Sequence, residues 1–276
     1  MPIPTPGQAA PSMARTAALA ALAMIAFAAN SLFCRKALGA GAIDAASFAA
    51  IRTLAGTLTL SAVLAVRGEM TLALRGHWRT AAMLFAYMVC FSFAYLSLSA
   101  GTGALILFGA VQITMFLTAL RHGETFSPLS WTGLAIASAG LVYLVSPGVT
   151  APEPVGAVLM ALAGVAWGAY SLWGRAAASP LVATGGAFIA ALPAVIAVAL
   201  TSAFVSGMYA TGTGVILAVA SGAIASGAGY VIWYAALRGL PAARAATVQL
   251  SVPVIAAFGG VFFLGFGGSR WTSDMA

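Results

Sequence analysis

The sequence predicts an all-α polytopic membrane protein built from two inverted repeats of five transmembrane helices, with the last helix of the second repeat missing, so nine spans are expected. Three observations predict this architecture. Of the 276 residues, 62% are hydrophobic and only 6% are charged, whereas soluble domains contain about 25% charged residues. The apolar residues also form runs of about 20, the length that crosses a bilayer. Finally, the second half of the chain repeats the first.

The apolar runs are separated by short segments that contain Gly, Pro, Asp or Arg. Strands are disfavoured because the runs are too long and do not alternate with polar residues. A signal peptide near Arg15 is disfavoured because the same stretch recurs mid-chain, so the first run is interpreted as a retained helix. The nine predicted spans cover residues 13–35, 44–66, 80–99, 103–120, 130–147, 155–175, 181–206, 213–237 and 242–266.

The net charge of +7 comes from basic residues that stand singly between apolar runs. This pattern favours loop anchors at a membrane over nucleic-acid binding, which would need a basic patch. With the N-terminus in the cytoplasm, most basic residues fall at cytoplasmic ends of spans, as the positive-inside rule requires. These residues are Arg15, Arg67, Arg75, Arg79, Arg121, Arg175, Arg238 and Arg244, against Arg35, Lys36 and Arg270 outside.

The repeat is visible in two stretches, "AFAANSLFCRKA" (26–37) and "AWGAYSLWGRAA" (166–177), which share the order S-L-aromatic-x-R-x-A. Tyr95 and Tyr234 stand 139 positions apart. The pairs Val111-Gln112 and Val248-Gln249, which follow them, stand 137 positions apart, so the register is nearly constant. A unit of about 140 residues therefore occurs twice. Because the unit holds five spans, an odd number, the second copy must be inverted in the bilayer, which is typical of transporters.

Four domains are predicted on this basis: a disordered Pro-rich N-terminus at 1–12, a first repeat at 13–148, a second repeat at 154–267 and a tail at 268–276. The first copy continues from "RHGETFSP" into a fifth helix, whereas the second copy reads "GFGGSRWTSDMA" after Phe266. A truncation or frameshift is the leading interpretation of the missing tenth helix, and a natural nine-helix variant is the alternative.

The sequence resembles the EamA type of the drug/metabolite transporter superfamily and, within it, the bacterial aromatic amino-acid exporters. The two S-L-aromatic-x-R-x-A helix ends carry the resemblance, together with "FAAIRTLAG", "GAVQITM", "RHGE" and "LPAARAATVQLSVPV". The resemblance covers about residues 13–266. It implies ten helices in two inverted halves, and the export or exchange of small metabolites.

All five acidic residues lie outside span interiors: Asp44, Glu69, Glu124, Glu153 and Asp274. Proton-coupled pumps usually carry a titrating group within the membrane. Transport is therefore predicted to proceed by facilitated diffusion or exchange, without a buried proton-coupling carboxylate. The lack of catalytic motifs argues against an enzyme. Cys34 and Cys90 show no metal-ligand spacing, so neither a metal nor a cofactor is expected.

Arg52 is the one charge well inside a predicted span. It is interpreted either as a counter-charge for a substrate carboxylate or as a structural arginine that bonds helix-end carbonyls or snorkels outward. Pro193 and Pro253 lie within spans seven and nine. They are candidate hinges, with static kinks as the alternative.

The predicted substrate-binding residues are amides and aromatics within the spans. Amides in such helices either line a cavity or bond across helices. Aromatic rings offer flat apolar walls with a polar edge, suited to an aromatic side chain, or simply fill helix contacts. The residues are Asn30, Tyr87, Tyr95, Gln112, Trp167, Tyr170, Tyr234 and Gln249.

These features together predict an alternating-access transporter of the inner membrane, monomeric, with its N-terminus in the cytoplasm. Its expected partners are membrane lipid and small amphipathic substrates, most of all aromatic and neutral amino acids, a choice that follows from the resemblance. A broad drug or nucleotide-sugar carrier is the alternative within the class. A non-transporting membrane scaffold or receptor is the alternative from another class.

Overall fold

The computed structural model describes residues 12–74, 78–123, 152–175 and 177–264, and positions 128, 131–133, 135–136 and 139–140. The predicted disordered segment (apart from Ser12), most of the fifth span and the C-terminal tail lie outside them. So do four charged residues named above: Arg75, Glu124, Arg270 and Asp274.

The described residues are helical almost throughout. Seven helices are long and apolar enough to cross a membrane, and one further apolar helix has 17 residues. The total of nine spans stays a prediction. Apart from the four-residue helix Met70–Ala73, the helices are α1 (Met13–Gly39), α2 (Ala45–Val66), α3 (Trp78–Ala94), α4 (Ala100–Arg121), α5 (the helical positions between 128 and 140), α6 (Pro154–Arg175), α7 (Pro180–Ser206), α8 (Gly212–Leu237) and α9 (Ala242–Gln249 and Ser251–Leu264).

Side-chain caps set where several helices begin. Asp44 Oδ1 accepts from Ser47 N at 2.8 Å, and Ser99 Oγ accepts from Thr102 N at 3.2 Å. Ser179 caps α7 in the same way. Each cap satisfies a backbone N–H that the first helical turn leaves unpaired.

Two helices depart from the regular form that their apolar runs predict. In α8, residues Ser221–Ala228 form a π-helix. In α9, the helix is interrupted at Leu250. Pro253 explains this break, because it has no N–H to donate to the carbonyl of Gln249, four residues earlier. Pro193, by contrast, lies inside an unbroken α7.

The helix contacts are paired between the two halves of the chain. The contact between α3 and α6 corresponds to the contact between α8 and α1, and that between α4 and α6 corresponds to that between α9 and α1. The contact between α2 and α8 likewise corresponds to the contact between α7 and α3. In addition, α2 contacts α7, and α4 contacts α9. Exchanging α1 with α6, α2 with α7, α3 with α8 and α4 with α9 therefore leaves this contact pattern unchanged.

The bundle has two ends, which we call the N-terminal end and the far end. At the N-terminal end, Gly239 lies against Thr16, and Arg238 donates to the carbonyl of Ala178. At the far end, Ser97 Oγ donates to Glu153 Oε2 at 3.2 Å. Since Thr16 belongs to the first turn of α1 and Glu153 precedes α6, these two helices run in opposite directions.

Glycines allow the closest helix contacts, as their small-xxx-small spacing predicts. A Cβ at Gly164 would collide with the Leu107 carbonyl, which brings α6 against α4. A Cβ at Gly222 would collide with the Arg52 carbonyl, which brings α8 against α2. The second contact lies beside the only fully buried arginine among the described residues, and it therefore helps to position the candidate site.

Candidate functional site

The guanidinium of Arg52 lies at the centre of the bundle with no exposed surface. Its Nε donates to Ser226 Oγ at 3.2 Å, and its Nη2 donates to the hydroxyls of Tyr87 and Tyr230, both at 3.1 Å. The ring of Phe91 lies beneath it, with Cζ 4.8 Å from the ring centroid. Arg52 therefore neither snorkels nor bonds helix-end carbonyls, because hydroxyls from α3 and α8 hold it.

The Arg52 network extends through Tyr87 to α1. The Tyr87 hydroxyl also accepts from Asn30 Nδ2 at 3.1 Å, and Asn30 Oδ1 accepts from Ser221 Oγ at 2.6 Å. Ser221 lies in the π-helical segment of α8, as does Ser226. Four helices thus meet in one buried polar network, in which the charge of Arg52 strengthens the hydrogen bonds it makes.

Among Arg52 and the predicted binding residues, three buried atoms have no hydrogen-bond partner in the described part of the chain. They are Arg52 Nη1, Gln112 Oε1 and the Tyr170 hydroxyl oxygen. A buried polar atom without a partner destabilises the protein, because it has given up its hydrogen bonds to water; the cost is about 1–3 kcal/mol for a neutral group and more for a charged one. A polar ligand that bonds to these atoms removes that cost. Arg52 Nη1 can donate to such a ligand, and Gln112 Oε1 can accept from it.

Aromatic rings surround the network. Trp167 of α6 lies 4.5 Å from Tyr230 and 5.2 Å from Tyr87, measured between ring centroids. Phe27 of α1 packs edge-on against Trp167 at 5.2 Å and against Trp233 at 5.8 Å. These separations fall in the range where aromatic pairs attract beyond simple burial. The rings come from both halves of the chain.

Gln249 joins the aromatic cluster to α4 and α9. Its Oε1 accepts from Trp167 Nε1 at 2.8 Å, and its Nε2 lies 3.7 Å from Met115 Sδ. Met115 is one turn beyond Gln112, the repeat equivalent of Gln249. Gln249 therefore bonds across helices in this structure, whereas Gln112 has a free acceptor among the described residues.

Tyr95 and Tyr234 occupy equivalent positions away from the centre. The Tyr95 hydroxyl donates to the Ala100 carbonyl at 3.3 Å, and the Tyr234 hydroxyl donates to the Tyr170 carbonyl at 2.9 Å. Both rings press on glycines, Gly103 and Gly174. These bonds tie helices together, while Tyr170 packs 5.4 Å from Trp167 and so adjoins the cluster.

The centre of the cluster is almost closed. A cavity of about 10 Å³ remains there, lined by Phe27, Asn30, Tyr87 and Trp167 among others. That is about the space of one water molecule. Three of the predicted binding residues thus meet at one point, but the structure is closed around it.

The sequence predicts Asn30, Tyr87, Trp167 and Arg52 as candidate residues, but it does not predict Tyr230 and Ser226. Both are partners of Arg52. The sequence marks Ser226 only by its spacing of four from Gly222, a small-xxx-small pattern that predicts close helix packing. Nothing in the spacing marks Tyr230 as the ring that faces Arg52, because the π-helical segment changes which face of α8 points inward.

Outside the spans, the charged side chains act as caps and ties. Partial burial acts to raise the pKa of Asp44, but hydrogen bonds from Ser47 and Tyr209 outweigh it and hold that pKa below its ordinary value. Asp44 Oδ2 accepts from Tyr209 N at 3.0 Å, and Thr211 N donates to the Ala42 carbonyl at 2.8 Å. These bonds fasten the α1–α2 connection to the α7–α8 connection at the far end.

Comparison with known proteins decides the family. The model of the EamA-like transporter family matches residues 14–146 and again residues 154–268. The chain belongs to the EamA-like transporter family. It is therefore a multi-pass membrane protein of a transporter family, which agrees with the apolar helices and makes an enzyme an improbable assignment.

Two individual likenesses accompany this EamA match. The Uncharacterized protein PA1977 of Pseudomonas aeruginosa is 49% identical over 251 residues, which are 91% of this chain and 87% of that protein. A protein of known crystal structure aligns with a TM-score of 0.71 and 17% identity, covering 94% of this chain and 91% of that one. At this identity the second likeness shows the fold alone.

Proposed function

We propose that this EamA-type protein exports or exchanges aromatic and other neutral amino acids by alternating access, between two inverted halves related by the exchange of α1–α4 with α6–α9. The paired helix contacts and the opposite directions of α1 and α6 support the inverted arrangement. The distribution of arginines favours an N-terminus in the cytoplasm.

The observation that carries this proposal is the buried Arg52 network inside an aromatic cluster. Arg52 Nη1 is a charged donor without a partner among the described residues, and it can meet a substrate carboxylate. Trp167, Tyr87 and Phe27 supply ring faces and edges for an aromatic side chain. The predicted roles of Asn30, Gln112, Tyr170 and Gln249 as further contacts belong to this proposal.

A closed centre fits one step of an alternating-access cycle. A cavity of about 10 Å³ cannot hold an amino acid, because ligand sites usually measure about 300–1,000 Å³. The two halves must therefore separate around Arg52 before substrate enters. Pro193 and Pro253, which follows the break at Leu250, are the proposed hinges for this movement, since each removes a helical hydrogen bond.

Counterflow in proteoliposomes tests the proposal. Vesicles loaded with unlabelled phenylalanine should accumulate radiolabelled phenylalanine from outside, and a protonophore should leave this exchange unchanged. Vesicles with the Arg52→Gln protein serve as the matched control and should show only background uptake. If the wild-type protein exchanges no amino acid, or if a protonophore abolishes uptake, the proposal is wrong.

A further inference from the structure

A large cavity, which we call the vestibule, opens at the N-terminal end of the bundle between α1 and α9. Its volume is about 770 Å³, and its wall includes Thr16, Ala20, Met24, Arg244, Val248 and Ser251. That volume lies within the range of about 300–1,000 Å³ that small-molecule sites occupy. The central cavity of about 10 Å³ is far smaller.

The lining of the vestibule has the chemistry of an amphipathic site. Small side chains on α1, at Ala17, Ala20 and Ala21, leave the space open. Thr16 and Ser251 contribute hydroxyls, and Arg244 is the one charged residue in the wall. An open, mainly apolar cavity whose described wall holds a single cation and no acid suits a small molecule that carries an apolar group and a carboxylate.

A second cavity of about 480 Å³, between α4 and α9, provides a contrast. It is lined by residues such as Thr102, Leu105, Pro253 and Ala257 and has no charged residue in its wall. Its lining includes Ser99, the residue that caps α4, so it lies toward the far end. Both cavities border α9, but only the vestibule offers a partner for a carboxylate.

The vestibule leads toward the candidate site along one face of α1. Met24 lines it, and Phe27, one turn further along, lines the central cavity. Both side chains are nearly buried, Met24 at 2% and Phe27 at 5% exposure. The Phe27 ring, packed on Trp167, Tyr230 and Trp233, borders the central cavity one turn beyond the point where Met24 borders the vestibule. The far end, in contrast, is fastened by Asp44 and Tyr209.

We propose that the vestibule is a loading site, where a zwitterionic or anionic amphipathic substrate binds with its carboxylate on Arg244 before it passes Phe27 to reach Arg52. This inference rests on the proposed transport function. It adds a second binding position at a different depth, and it assigns Arg244 as the residue that selects for a carboxylate.

Cysteine protection tests the loading site. In a background with Cys34→Ala and Cys90→Ala, Ser251→Cys is labelled in proteoliposomes by a trimethylammonium methanethiosulfonate reagent. Phenylalanine at about ten times its Kd should slow labelling about tenfold, because the rate follows the unoccupied fraction. Phenethylamine, which lacks the carboxylate, should not slow it, and adding Arg244→Gln should abolish the protection by phenylalanine. Ala257→Cys in the second cavity is the matched control and should be labelled at the same rate with or without phenylalanine.

The outcomes separate the loading site from the transport function. If wild-type protein performs counterflow but phenylalanine leaves labelling of Ser251→Cys unchanged, the loading site is wrong and the transport function stands. If labelling occurs only after lipid is removed with detergent, a lipid fills the vestibule and the inference is wrong. If wild-type protein performs no counterflow with any amino acid, the proposed function fails whatever the labelling shows.

Discussion

Arg52 of α2 and Tyr230 of α8 are joined by a hydrogen bond of 3.1 Å, although 178 positions separate them in the chain. Together with Tyr87 and Ser226, the pair connects the two halves of the molecule in its buried interior. A charged hydrogen bond of this kind is worth about 1.5–3 kcal/mol. Replacing Tyr230 with Phe should therefore lower the thermal unfolding temperature in detergent.

Tyr209→Phe is the matched control for Tyr230→Phe, since its side chain is 56% exposed. Its unfolding temperature should equal that of the wild type. Equal temperatures for both variants would show that the bond between Arg52 and Tyr230 contributes nothing to stability.

Arg52→Lys should abolish counterflow while leaving a folded protein. The guanidinium reaches Ser226 from Nε and two tyrosines from Nη2, and a single ammonium cannot reproduce that geometry. Counterflow and gel-filtration profiles in detergent measure the two properties. Arg79→Lys, on an exposed arginine at the start of α3, should transport normally. Wild-type rates in Arg52→Lys would exclude any need for the guanidinium shape.

Trp167→Phe should raise the KM for aromatic substrates and lower stability. The change removes the Nε1 donor that lies 2.8 Å from Gln249 Oε1, and the buried amide oxygen then loses its partner, at a cost of about 1–3 kcal/mol. Trp173→Phe, two turns further along α6 and 48% exposed, is the control. Initial exchange rates over a range of phenylalanine concentrations provide the comparison, and matching KM values for the two variants would remove Trp167 from the site.

Gly222→Ala should destabilise the protein by about 1–3 kcal/mol, because the added methyl meets the Arg52 carbonyl and forces α8 away from α2. Gly212→Ala tests the same substitution at the start of α8, where a Cβ meets no atom within 4 Å. Thermal unfolding in one detergent should rank Gly222→Ala well below both Gly212→Ala and wild type. The reverse ranking would mean that this helix contact is not tight.

Asp44 should contribute stability that depends on pH in one direction. Its pKa is held below the ordinary value in the folded protein. The stability that the carboxylate contributes is therefore fully present above the ordinary pKa, and it is lost as the pH falls through the lowered pKa. The difference in unfolding temperature between wild type and Asp44→Asn should be constant above about pH 5 and shrink below it. A difference that grows as the solution becomes more acidic would contradict this assignment.

The Asp44 carboxylate also fastens the far end through Tyr209. Asp44→Ala should therefore cost more than Ser179→Ala, which removes the cap of α7 at the opposite end, a loss of about 0.5–2 kcal/mol. Thermal unfolding measures both. A Ser179→Ala protein that is less stable than Asp44→Ala would show that the bond to Tyr209 adds nothing to the cap.

The helices could be predicted from the sequence because a membrane span needs only length and apolar composition. The family followed from motifs such as the S-L-aromatic-x-R-x-A helix ends, and the match at residues 14–146 and 154–268 confirms it. The substrate, the nine-span total and the orientation stay predictions. The partners of Arg52 could be predicted only in part, since facing residues depend on how helices turn.

The π-helical segment at Ser221–Ala228 illustrates why the rest was missed. A π-helix has more residues per turn than an α-helix, so the residues between Gly222 and Tyr230 do not follow the spacing of 3.6 residues per turn. Ser221 and Ser226 then both point into the network, toward Asn30 and Arg52. Spacing of 3.6 residues cannot predict that pair, because the rule assumes one helix type throughout.

The small volume of the central cavity, about 10 Å³, has a consequence for measured affinities. If molecules with an opened centre make up about one in a hundred, the apparent Kd is about 100-fold weaker than the Kd of the opened form. Loosening the packing around Phe27 would then tighten apparent binding without adding any contact to the substrate. Weak binding in this protein would thus measure the rarity of its open molecules rather than a poor fit to what it carries.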